Sequence, residues 1–401
     1  MEVMPPSTSL VRAGYKQTEV GVIPNDWETK TVANLVEASS PICYGVVQVG
    51  QHTDNGVPIV AIKFVKEIAH APLHRTSVSL EKPYARSRPR DGDILISIKG
   101  TIGRVGIVPF GFEGNISREL ARLRISDDAC SEYIAHQLEA GATQERIMRA
   151  VVGTTRLEFS IAALRQFQLP IPPTKSEQRS ISTALSDVDA LLGGLERLIS
   201  KKRDLKQAAM QQLLTGQTRL PGFHGEWGVK TLGDLATVTK GSQLHSSETN
   251  NEGQFPHLNG GISASSYTDK ANTPADTIAI SEGGNSCGFV QFMSRPYWCG
   301  GHCYAVVPKN ADNRFLYHAL KGQQPAIMGL RVGSGLPNVQ KTTLALFKLN
   351  LPSDFPEQTA IASVLTDMDA ELVLLEQRLT KTRALKQGMM QELLTGRTRL
   401  V

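Results

Sequence analysis

With 401 residues, 40% hydrophobic and 20% charged, the chain is too long for one ordinary core and too apolar to be disordered, so two or more domains are expected. Its five scattered cysteines exclude a disulfide framework and fit a reducing, cytoplasmic setting. MEVMPPSTSL has no signal-peptide pattern, and no stretch approaches the roughly 18 apolar residues that cross a bilayer. The formal charge of +5 is mild but localised: residues 27–170 hold 17 basic against 15 acidic side chains, 227–350 hold 10 against 7, and the remainder balances at 16 against 16, a pattern compatible with two polyanion contacts.

In chain order, a segment opening on Trp27, Lys30, Thr31 and Leu35 leads to the alternating, glycine-interrupted run Asp93–Val108 (DILISIKGTIGRVGIV), which predicts short strands joined by a tight turn. A shorter helical stretch is expected at Glu132–Arg149. From Glu177 a long helix is predicted: Thr174 and Glu177 have capping-box spacing, Pro173 precedes them, and Gly216 stands where a C′ glycine ends a helix. The opening motif then recurs as Trp227, Lys230, Thr231 and Leu235, at an offset of 200. A second strand pair is expected at Thr277–Val290 (TIAISEGGNSCGFV) and a second short helix at Arg314–Met328. A second long helix follows from Glu357, with Asp354 as cap and Gly396 as stop.

The two long helical segments are copies. The 44 residues from Glu177 and the 44 from Glu357 match without a gap at an offset of 180, with 24 identities. The offset falls from 200 to 180 between the edges of the repeat, so the second unit has lost a net 20 residues from a centre that does not align. Along each helix Ile181, Leu185, Val188, Leu192, Leu195 and Ile199, and Ile361, Leu365, Met368, Leu372, Leu375 and Leu379, alternate steps of four and three. That is a coiled-coil seam, and the simplest way to cover two such seams pairs the helices antiparallel. The expected fold class is α+β: two globular α+β domains joined by two long helices forming an antiparallel coiled coil, as a pseudo-twofold internal repeat. The expected boundaries are 1–26, 27–170, 171–226, 227–350 and 351–401.

No catalytic constellation emerges. Gly100, Gly103 and Gly106 have the wrong spacing for a dinucleotide fingerprint, and no segment matches GxxxxGK[ST]. Asp91 and Asp93 in RDGD read as a turn entering a strand, not a metal-holding carboxylate cluster. The Pro-Pro pairs do not suit an amine methyltransferase loop. In CGGHC, Cys299–Cys303 lacks the paired ligand spacing of structural zinc and reads as buried free thiols. No catalytic and no metal residue is therefore assigned. Candidate DNA contacts are Arg86, Arg88, Arg90, Lys99, Arg104 and Arg156 in the first segment, and Lys240, Asn285 and Arg331 in the second. Arginine can bridge guanine O6 and N7, asparagine or glutamine can do the same for adenine, and mobile loops suit groove entry.

YKQTEVGVIPNDWETKTVANL (Tyr15–Leu35), GFHGEW (Gly222–Trp227) and the duplicated LKQxxMQxLLTGxTRL element together resemble the specificity subunit of type I restriction-modification systems across essentially the whole chain. That resemblance implies a non-enzymatic subunit. Two target recognition domains, 27–170 and 227–350, would each read half of an asymmetric bipartite DNA target, with the helices as spacers. It further implies docking of two modification subunits, which are S-adenosylmethionine-dependent adenine methyltransferases. Restriction subunits using ATP and magnesium would join them, with no cofactor held by this chain. The competing expectation is a non-catalytic scaffold or silent specificity cassette without an active methyltransferase partner.

Overall fold

In the computed structural model, residues 12–153, 157–333 and 335–400 are described, and they form two compact units. The first comprises the described residues up to Gly194 together with those from Leu379; the second comprises Leu195–Arg378. Each unit therefore takes one globular segment, part of the helix Lys175–Leu213 and part of the helix Phe355–Leu393.

The two globular parts share one plan. In the first unit the entering strand Glu28–Thr31 pairs antiparallel with the leaving strand Gln168–Ile171, which brings the two edges of the segment together. Between them lies an antiparallel four-stranded sheet in the order Cys43–Tyr44, Leu120–Leu123, Ile94–Ser97, Val105–Ile107. Both central strands are buried along their whole length, so they read as apolar runs and not as alternation. A three-stranded sheet of His74–Thr76, Val57–Val60 and Asn115–Ile116 completes the part.

In the second unit Trp227–Thr231 pairs with Lys348–Pro352. The four-stranded sheet runs Ala236–Lys240, Cys303–Pro308, Thr277–Ser281, Val290–Met293, and the three-stranded sheet runs Ser266–Thr268, Phe255–Leu258, Trp298–Cys299.

The strand pairs expected from both glycine-interrupted runs are present. The two shorter helices are each broken. Glu132–Arg149 divides into Ser131–Glu139 and Gly141–Ala150, because Ala140 is extended and the Gln144 side chain donates to the freed Leu138 carbonyl. The second stretch divides at Gln323 into Asn313–Gly322 and Gln324–Gly329, where Pro325 has no N–H to continue the ladder.

The long helices have 39 residues each, about 58 Å at 1.5 Å per residue, and they pack antiparallel. In the second unit Lys202 pairs with Glu371, Lys206 with Asp369 and Arg203 with Glu376; in the first, Lys386 pairs with Asp189. Lys206–Asp369 and Lys386–Asp189 are the same pair with the helices exchanged, since each residue differs from its counterpart by the repeat offset of 180.

Along the seam, Ile181 and Leu185 are buried in the first core among Tyr133, Leu169, Leu393 and Leu394. Ile361 and Leu365 are buried in the second among Phe315, Leu349 and Leu213. Leu195, Ile199 and Leu372 are also buried, whereas Val188, Leu192, Met368, Leu375 and Leu379 are half-buried. The first two turns of each seam thus serve the globular core as well as the helix pair.

The helix starts depart from the expected capping boxes. Thr174 Oγ1 accepts from the Glu177 N–H at 3.2 Å, but the Glu177 carboxylate turns away to Arg399, and Glu357 likewise turns to Arg219.

Candidate nucleic-acid interface

In each unit a glycine-bounded hairpin of the four-stranded sheet lies beside a second loop that precedes the short helix leading to the closing strand. In the first unit this hairpin turns after Ser97, whose carbonyl accepts from the Gly103 N–H; in the second it turns after Ser281, whose carbonyl accepts from the Gly288 N–H. Gly100, Gly103, Gly284 and Gly288 all have φ between 73° and 85°, the left-handed region open to glycine. That requirement, and not phosphate binding, explains the glycine spacing. The adjoining loop is fixed by bridges Lys99–Glu158 and Val152–Glu158 in the first unit, and Gly283–Asn338 and Val332–Asn338 in the second.

On this common frame the matched positions differ in chemistry. Ser97 matches Ser281, so Ile98 matches Glu282, Lys99 matches Gly283 and Glu158 matches Asn338. On the neighbouring strand Tyr44 matches Lys240, because each faces its partner strand one residue beyond the same pairing. The second hairpin is also longer: Ser97 N–H donates to the carbonyl seven residues on, Ser281 N–H to the one eight residues on. A shared scaffold thus presents two different surfaces.

The candidate contacts fall into two groups. Lys99 and Arg104 sit on the first hairpin; Lys99 Nζ is 3.3 Å from Glu158 and 5.9 Å from the Tyr44 ring, and Arg104 is exposed. Arg156 lies outside the described residues. Around the second hairpin, Lys240 donates to Glu282 Oε1 at 2.7 Å, Tyr304 Oη donates to the same oxygen at 3.1 Å, and Asn285 and Arg331 are exposed.

Arg86, Arg88 and Arg90 stand elsewhere, before the strand Ile94–Ser97. Arg88 is committed to a carboxylate: Nε and Nη2 donate to Oε1 and Oε2 of the fully buried Glu81 at 2.7 and 2.5 Å, which holds the Glu81 carboxyl below its ordinary range. Arg86 and Arg90 are exposed. Among the described residues no cluster of three His, Cys, Asp or Glu side chains suits a metal ion. Cys299 and Cys303 are buried, with Cys299 Sγ donating to the Cys303 carbonyl at 3.5 Å, while His302 faces Glu282.

Sequence reading missed three residues here. Tyr44 and Arg124 offer no pattern of their own, and Arg122 in LARL looks like the outward side of an alternating strand although it is 2% exposed.

The sequence profile of the type I restriction modification DNA specificity domain matches twice, over residues 24–202 and 224–383, so it covers both globular parts and most of both helices. The chain belongs to this family. A putative type I specificity subunit of Mycoplasma pneumoniae is 33% identical over 175 residues, spanning 43% of this chain and 46% of that protein, so the match extends over about half of that relative. The putative type I restriction enzyme MjaX specificity subunit of Methanocaldococcus jannaschii is 24% identical over 96% of this chain and 97% of its own length. The crystal structure of the type I restriction-modification S subunit from M. genitalium shares the fold, with a TM-score of 0.69 at 20% identity over 92% of this chain and 96% of that one. The chain therefore carries two copies of a type I restriction modification DNA specificity domain, one in each unit. No helix among the described residues is long and apolar enough to cross a membrane.

Proposed function

We propose that this chain reads an asymmetric, bipartite double-stranded DNA target, one half-site by residues 27–170 and the other by 227–350. It does so as a non-catalytic subunit that docks two adenine methyltransferase subunits and, through them, the restriction subunits. The observation that carries the reading is the contrast at matched positions: the same hairpin frame carries Lys99 and Glu158 in one unit and Gly283 and Asn338 in the other. A reader of two unlike sequences needs a constant frame with different donors and acceptors at the base edges. S-adenosylmethionine, ATP and magnesium would belong to the partner subunits, and the paired helices would set the spacing between half-sites.

The test is methylome sequencing of a host expressing the chain with its methyltransferase. The reading expects methylated adenines in a split, asymmetric motif; active methyltransferase with a continuous motif, or with none, would count against it.

A further inference from the structure

A cavity of about 730 Å³ in the first unit is lined by Arg86, Arg88, Arg90, Arg122 and Arg124, with Ser40 among the lining residues and no carboxylate among the described ones. Two acids stand behind the wall. Glu81 is taken by Arg88, and Asp93 is bound in bidentate fashion by Arg124, through Nε at 3.0 Å and Nη2 at 2.7 Å. Arg122 reaches the same Asp93 only at 3.9 Å and otherwise donates to neutral groups: Ser40 Oγ at 2.6 Å and the carbonyls of Pro41 and Arg86 at 3.2 and 3.4 Å. Its Nε has no hydrogen-bond partner among the described residues, although the side chain is 2% exposed. Glu37 is within electrostatic reach of Arg124 as well.

Five arginines therefore line one space, and the side chains of Arg86 and Arg90 have no carboxylate partner among the described residues. A buried arginine short of a counter-charge is expensive unless an anion completes the site. The sheet frame does not demand it, because the strand position matched to Arg122 in the second unit is Ala305: each faces the corresponding residue of its neighbours, Leu95 and Cys43 in one case, Ala279 and Thr239 in the other. The cavity also adjoins the hairpin interface. Tyr44 lines it while standing beneath Lys99, and Ile161 lines it at the end of the loop fixed by Glu158.

We propose that this cavity receives a phosphodiester group of the DNA strand read by the first hairpin, with Arg86 and Arg90 at its entrance and Arg122 at its floor. Arginine forks suit phosphate oxygens, and one such contact fixes the strand without reading sequence. The inference rests on the DNA-reading function proposed above.

The test measures duplex binding by the full chain over a salt series, using its own target and a scrambled duplex. The variants are Arg86→Ala/Arg90→Ala and Arg86→Lys/Arg90→Lys, and adenosine monophosphate serves as competitor. Removing one phosphate contact should lower the slope of log K against log salt by about one, since each contact contributes about 0.9. The ratio of target to scrambled affinity should stay within about twofold, and the lysine variant should keep the original slope. An unchanged slope in the alanine variant overturns the proposal. So does adenosine monophosphate binding that the alanine variant loses while its DNA slope is unaltered, because the cavity would then serve a free nucleotide. A lower slope in a chain that shows no preference for any target would sustain the phosphate site while sinking the sequence-reading function. No duplex binding by the unsubstituted chain would sink both.

Discussion

Arg399 donates from Nε and Nη2 to both oxygens of the Glu177 carboxylate, 222 residues earlier in the chain, and from Nη1 and Nη2 to Asp26 at 3.0 Å. Arg219 clasps Glu357 in the same way, at 2.5 and 2.6 Å. The repeat offset of 180 turns one pair into the other with the donor and acceptor copies exchanged. Each TRL segment thus ties the end of one helix to the start of the other copy. Beside each pair, the arginine lies 5.8 Å from the Trp27 or Trp227 ring, and Gly396 or Gly216, at positive φ, packs against the same tryptophan.

Because Glu177 is 2% exposed, removing its partner leaves a buried carboxylate uncompensated. Arg399→Ala is expected to cost about 3 kcal/mol, and adding Glu177→Gln should recover part of that loss. Denaturant unfolding of the two variants checks this; equal losses would show that the tie is not electrostatic.

Stability should also fall on the acid side through His318. This side chain is buried, with Nε2 3.1 Å from Thr366 Oγ1, and burial pushes its pKa from the ordinary 6.5 down to about 4, against the opposing pull of Asp369. The folded state therefore disfavours the proton. The contribution is whole above pH 6.5 and declines as pH drops toward 4, with about 2 kcal/mol lost by pH 5. His136, facing Ser186 and also shifted down by burial, acts in the same direction. Unfolding midpoints of the native chain and of His318→Gln between pH 7.5 and 5 should converge as pH falls.

Gly288 tests the hairpin frame. Its φ is 85°, and a Cβ there would stand 2.8 Å from the Met328 backbone. Gly288→Ala should cost about 2 kcal/mol through backbone strain, and more if Met328 cannot shift. Gly228→Ala, where a Cβ meets open space, is the control and should be close to neutral in the same unfolding assay.

The helices should act as the spacer. Removing one heptad from each at matched positions keeps the seam in phase and shortens the pair by about 10 Å. The gap in the methylated motif should shrink while both half-sites stay the same, as methylome sequencing would show.

The long helices were legible because their periodicity and their duplication are both local in sequence. The partners of Glu177 and Glu357 were not: a capping-box pattern reads three residues ahead, whereas Arg399 lies at the far end of the chain. The matched offset of Glu177 with Glu357 and Arg219 with Arg399 was the available signal. Strand positions were legible from apolar runs, but the break at Ala140 depends on a Gln144 side chain replacing a backbone donor, which no propensity encodes. Of the basic candidates, Arg88 could not be told from Arg86 and Arg90 in RSRPR, because its carboxylate partner is set by packing around Glu81.

The most direct measurement of the central claim is methylated-DNA sequencing with a chain in which only Lys99 and Arg104 of the first hairpin are replaced by alanine. Relaxed or altered bases in one half-site, with the other half-site and the gap unchanged, are the predicted result. Changes in both half-sites, or in neither while methylation persists, would contradict the assignment of one half-site to each unit.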